Sequence, residues 1–210
     1  RFRIGETEIL LYYGKPSPYN VAQEIYIDMI PVTDYITSGV WQIILNPTRV
    51  VEGQYDLWLP SENVLNRGTG FLYPDEEVTL TIPSTADKVI SVGAYDALTF
   101  SYASFSGRGY TWQDERTKPD LVAPGVNVRT TAVGGGVTVV SGTSFATPFV
   151  TGASALLMEW GIVRGNDPFL YGEKVKAYLR RGARELPGFG KYPNREVGYG
   201  RLCLERSLPD

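Results

Sequence analysis

The sequence predicts an α/β domain, residues 84–210, preceded by an all-β module, residues 1–83. Three observations carry that reading. Before Ser84, short stretches alternate polar and apolar residues between Gly, Pro and Asn punctuation; from Ser84 onward, strand-like runs alternate with helical ones. Third, a Gly-Thr-Ser turn at 142–144 opens onto a long, small or apolar run, 149–160, that reads as a helix buried on most sides. With 210 residues, 43% hydrophobic and 20% charged, the chain can bury a real core in one or two domains.

In the first module, residues 22–30 come close to strict alternation, 39–45 read as a strand ended by Asn46-Pro47, and 54–59 alternate before Pro60. Residues 77–82 alternate again, with Val78, Leu80 and Ile82 on one face. Short strands at such spacing predict a sandwich or jelly roll, and the 14 tyrosines suit it. Trp41 and Trp58 fit core aromatics of that sandwich better than ligand-stacking groups.

In the second module, 88–94 is nearly continuously apolar, as expected of a strand covered on both faces of a parallel sheet. Residues 100–109 read as a turn region, and 120–125 bring a strand to a Pro-Gly turn. Residues 126–131 and 137–140 flank Gly134-Gly135-Gly136 and predict a hairpin that delivers the chain to Ser141. Beyond the long helix, Asn166-Asp167-Pro168 reads as a helix start, 173–181 as an amphipathic helix with a solvated charged face, and Gly182 as its stop.

Several functions lose support. A net charge of -3 with no basic run gives no reason to invoke nucleic acid, and no apolar run approaches the ~20 residues that span a bilayer. The glycine run lacks the spacing and lysine of a phosphate loop, so a hairpin tip is the better reading and no nucleotide cofactor is expected. Asp114, Glu115, Asp120 and Asp167 fall on different predicted loops, which gives no metal constellation. The single cysteine, Cys203, excludes an internal disulfide framework and, between Leu202 and Leu204, reads as a packed strand residue rather than a reactive thiol. The opening residues, Arg1 to Glu6, resemble neither a signal peptide nor an initiator start, so the sequence is expected to begin in mid-chain.

The turn at 142–144 offers chemistry. Ser144 is placed where a helix begins, Pro148 is tolerated near the first turn, and free N–H groups there would stabilise an oxyanion formed by attack of its Oγ on a carbonyl. An N-cap serine is the plainer alternative. Gly142-Thr143-Ser144-Phe145-Ala146-Thr147-Pro148 resembles the nucleophile signature of the subtilisin-like serine proteases. Lys118-Pro119-Asp120-Leu121-Val122-Ala123-Pro124-Gly125, the strand 84–94 and Gly198-Tyr199-Gly200-Arg201-Leu202 resemble further segments of that family in the same order. The resemblance implies that 84–210 is the C-terminal half of such a catalytic domain, with Ser144 as catalytic nucleophile and Asp120 structural. The module 1–83 is similar in position to the jelly-roll insert of the clostridial Csp-type germination proteases, which would imply an extracellular or spore-associated bacterial protein that processes a zymogen. Family members often bind calcium, but no ligand set carries over here.

The sequence contains no histidine, whereas a Ser-His-Asp hydrolase needs an imidazole to take and return the serine proton. The resemblance implies that Asp, His and the oxyanion Asn belong to an N-terminal part of the same protease, which becomes the expected partner beside a protein or peptide substrate. This chain alone is then expected to be inactive. A non-catalytic pseudoprotease or protein-binding scaffold is the rival from another class.

Overall fold

The computed structural model describes residues 1–18, 22–51, 53–61, 64–110 and 117–209. They form two compact units, Arg1–Ser61 and Glu62–Asp210. The first unit is an antiparallel meander of β1 (Phe2–Ile4), β2 (Thr7–Gly14) and β3 (Glu24–Pro31), in that spatial order. Its register sets Leu11 opposite Ile27 and Tyr12 opposite Tyr26. The alternation at 22–30 therefore marks a true strand. The expected strands at 39–45 and 54–59 are irregular chain instead, and among the described residues of this unit there is one sheet where a jelly roll needs two. The physical reason is that alternation specifies which side of a strand is apolar but supplies neither a pairing edge nor a second layer. Among the described residues of this unit, Thr7 and Ile9 are the buried ones, and Trp58 is 59% exposed. Trp41 is half-buried, its Nε1 donating to Thr37 O at 3.0 Å. Neither tryptophan is the sandwich core residue the pattern suggested.

In the second unit the expected strand at 77–82 is also absent. Val78 takes a φ of 54°, which breaks the extended run, and Thr79 N–H donates to Arg108 O at 2.9 Å. The sheet consists of β4 (Val92–Asp96), β5 (Ser101–Tyr102) and, past the small β6–β7 pair (Gly109–Tyr110 and Thr117–Lys118), β8 (Leu121–Pro124), in the order β5-β4-β8. β4 runs parallel to β8, with Gly93 opposite Val122 and Ala94 opposite Ala123. The parallel, doubly covered strand is thus found, but it begins at Val92: the Ala86, Asp87 and Val89 carbonyls serve lysine side chains, and only from Ser91 O, which accepts from Asp120 N–H at 2.8 Å, does the chain turn to its neighbour. β9 (Val128–Thr131) and β10 (Val137–Val140) pair antiparallel with Gly134 to Gly136 at the tip.

One face of the sheet packs against α1 (Thr143–Met158) and α2 (Gly172–Gly182), the core being Ala94, Leu121 and Ala123 against Ala146, Val150, Ala153, Leu157, Val175 and Leu179. The other face is covered by Leu186 and Val197 over Tyr95 and Val122. Full burial of Leu157 and Val150 contributes about 2 kcal/mol each. Gly200 O accepts from Val122 N–H at 2.9 Å and Leu202 N–H donates to Val122 O at 2.9 Å, so 200–202 extends the sheet beside β8. A Cβ on Gly198 would collide with Pro119 O, which explains in space why two segments 80 residues apart in the chain go together.

Two helical expectations are corrected. α1 buries one stripe only, leaving Phe149, Leu156 and Met158 exposed. Continued through a π-helical turn, Glu159–Val163, it makes 21 residues with an 18-residue window of mean hydropathy 1.2, long and apolar enough to cross a membrane by length and composition only, although Thr, Ser, Pro and Glu159 interrupt the apolar run. α2 starts at Gly172 rather than near Asp167 and ends at Gly182, whose Cβ would collide with the Ser207 backbone of α3 (Leu204–Ser207). Gly182 is a close-approach residue as well as the expected stop. Cys203 precedes α3 and lies in no strand.

Candidate active site around Ser144

Ser144 is the second residue of α1. Gly142, at φ 152° and ψ 158°, occupies the N-cap, and no side chain caps the helix. Ser144 is therefore not a capping serine: its side chain is exposed and its Oγ has no hydrogen-bond partner among the described residues. Gly142 N–H donates to Gly125 O at 2.8 Å and Phe145 N–H to Gly142 O at 3.0 Å. The N–H groups of Thr143 and Ser144 have no backbone acceptor among the described residues, as first-turn geometry dictates. An unpaired hydroxyl thus stands beside free amides at the positive end of a helix, which suits attack on a carbonyl and stabilisation of the resulting oxyanion.

Pro148 is sixth in the helix, beyond the first turn where the sequence alone would place it. Its missing N–H leaves Ser144 O without an i+4 donor. Downstream, Thr147 Oγ1 donates to Thr143 O at 3.0 Å and Ser154 Oγ to Val150 O at 2.8 Å.

Composition and spacing did not reveal what holds this turn. Ser141 Oγ accepts from Asn127 N–H at 2.9 Å, and a Cβ on Gly125 would lie 2.6 Å from Ala94 Cβ and 3.0 Å from Gly142 O. The Pro124-Gly125 turn after β8 and the start of α1 are consequently stitched together. A glycine directly after an Ala-Pro pair was the available signal.

Asp120 is fully buried and remote from any acid–base role. Its Oδ2 accepts from Ser91 N–H at 2.6 Å and Lys118 Nζ at 3.3 Å; its Oδ1 accepts from Arg180 Nε at 2.7 Å and meets Lys176 Nζ at 3.3 Å. The charged face of α2 is therefore not wholly solvated, because Lys176 and Arg180 turn inward. Burial holds the Lys176 ammonium below the usual lysine range, Asp120 opposes this, and Lys118 and Arg180 add to it. Asp167 binds Lys174 Nζ at 2.6 Å and Tyr178 OH at 2.9 Å, far along the chain from Ser144. Asp114 and Glu115 lie outside the described residues, among which no group of three His, Cys, Asp or Glu side chains gathers. Cavities of about 420 Å³, beside Lys176 and Arg180, and about 510 Å³, beside Trp160 and Lys174, are not lined by Ser144.

The model of the subtilase family, peptidase S8, matches residues 72–200. The membrane-bound transcription factor site-1 protease of Mus musculus is 39% identical over 134 residues, 61% of this chain and 12% of that protein. The serine protease AprX of Bacillus subtilis is 34% identical over 156 residues, 65% of this chain and 33% of that one. Among solved structures, the Clostridium perfringens CspB protease matches with a TM-score of 0.85 at 45% identity, covering 98% of this chain and 43% of that chain. The chain spans less than half the length of each of these relatives.

Proposed function

Since the chain belongs to the subtilase family of serine proteases, we propose that it is the nucleophile-bearing C-terminal part of a longer endopeptidase. Ser144 Oγ attacks the scissile carbonyl, the Ser144 amide supplies one oxyanion donor, and water hydrolyses the acyl-enzyme. The observation that carries this reading is the exposed, uncapped Ser144 hydroxyl at the amide-bearing end of α1. The proton has to go to an imidazole, and with no histidine in 210 residues the base, its Asp and the second oxyanion donor come from the N-terminal part of the same protease. The exposed residues Phe149 and Leu156 of α1 give that part an apolar surface to cover. Residues 1–83 serve as the insert of the Csp-type subgroup, completing their second sheet in the whole protein, and the substrate is a protein zymogen of spore germination. The likeness to the CspB protease over 98% of this chain supports the first step, and the substrate follows from the Csp-type resemblance alone.

A fluorophosphonate probe on the whole protease tests the reading, with mass spectrometry to locate the adduct. The adduct is expected on Ser144, and Ser144→Ala should abolish labelling and lower peptidase kcat/KM by on the order of 10⁴–10⁶-fold, as loss of the nucleophile does in serine proteases generally. Labelling of this chain by itself would overturn the external base. No labelling of the whole protease would make the protein a scaffold.

A further inference from the structure

Calcium-binding sites gather six to eight oxygens, several of them backbone carbonyls and carboxylates. Among the described residues a place of that composition lies just before β4, where the carbonyls of Ala86, Asp87 and Val89 converge near the buried carboxylate of Asp120. Its occupants are two side-chain ammonium groups. Lys118 Nζ meets Ala86 O at 3.1 Å, Val89 O at 3.0 Å and Asp120 Oδ2 at 3.3 Å. Lys176 Nζ meets Asp87 O at 2.8 Å, Val89 O at 2.9 Å and Asp120 Oδ1 at 3.3 Å. An ammonium has three N–H groups, and each of these meets three oxygens, with Val89 O shared between them. Lys118 is 2% exposed and Lys176 7%, so neither is a surface lysine folded back by chance.

The donor set does not fit a metal. One carboxylate is already shared by Lys118, Lys176 and Arg180, and a divalent ion would have to enter beside three positive charges. We propose that Lys118 and Lys176 are tethered internal cations that do the work of a bound metal at this loop, fixing residues 86–89 so that β4 can start at Val92 beside β8. Because the ammonium groups arrive on β7 and α2, the same contacts lock both elements to the sheet. Emptied of the Lys118 side chain, the place becomes a site for a singly charged cation of ammonium size, held by Ala86 O, Val89 O and Asp120.

The test is thermal unfolding of the full 210-residue chain in equal ionic strengths of sodium, potassium, calcium, ethylammonium and tetramethylammonium chlorides, and in a chelator. For the unaltered chain the midpoint should agree within about 1 °C across all of them; a rise specific to calcium or potassium would overturn the proposal. Lys118→Ala should lower the midpoint by on the order of 10 °C, since it strips one partner from a buried charge cluster. It should then regain several degrees in ethylammonium or potassium but not in tetramethylammonium, which is too large and has no N–H. An equal response of K118A to every salt would overturn it too. Should K118A not fold, Lys176→Ala takes the same test with the same two outcomes.

Discussion

Gly125 has no room for a methyl group: the added carbon would press on Ala94 of β4 and on the carbonyl of Gly142 at once. Gly125→Ala should therefore cost about 1–3 kcal/mol by overpacking, read as a lower unfolding midpoint. Because the displaced atom belongs to the N-cap of α1, the whole protease should also lose kcat more than KM. Ser141→Ala removes the acceptor of Asn127 N–H and should cost about 1 kcal/mol, while Ser141→Thr, which keeps the oxygen, should recover most of it. Both effects arise from single atoms that no composition or periodicity reports, whereas Ser144 itself was visible in the local string of residues.

At the scale of elements, α2 is held by two polar anchors of different kind. Asp120 binds it from beneath through Lys176 and Arg180. Asp120→Asn leaves three cations around a neutral amide, and a loss of about 3–5 kcal/mol is expected in urea unfolding. Asp167 binds it from its start. Its hydrogen bond with Lys174 holds the carboxyl below the ordinary 3.8, and the same bond raises Lys174 above 10.5. A carboxyl titrating lower in the fold than in the unfolded chain adds stability that is present above pH 3.8 and fades as pH falls through the lowered folded value. The lysine adds stability present below pH 10.5 that fades as pH rises through its raised folded value. Asp167→Asn should be less stable than the parent at pH 6, and the two should converge as pH falls below the lowered folded value of Asp167; a gap that persists there would assign the loss to packing. The amphipathic pattern of α2 was legible, but its inward-turned lysine was not, because Lys176 is recognisable as buried only once residues 87 and 89 are known to lie beneath it.

On the scale of the whole molecule, the two units differ in how they could hold themselves together. Arg1–Ser61 has Thr7 and Ile9 as its buried residues among those described, so a peptide of 1–61 should show little protection in amide hydrogen exchange. Slow exchange across β2 and β3 in that peptide would contradict this. Glu62–Asp210 has a core covered on both faces of its sheet.

The sequence by itself determined the family, the nucleophile candidate, the β9–β10 hairpin, the doubly covered strand that becomes β4 and the helix behind Ser144. Each of these is written in contiguous residues whose backbone demands are local: a glycine turn, an apolar run, a proline. Only the tertiary structure decided which alternating stretches become strands, since a strand exists by pairing and an alternating pattern names no partner. It alone likewise decided that Gly182 is a close contact as well as a stop, that one stripe of α1 is buried, and that three cations surround Asp120. Those facts depend on pairs such as Gly182 with Ser207 and Lys176 with Asp87, distant along the chain and brought together by a core whose burial is indifferent to that distance.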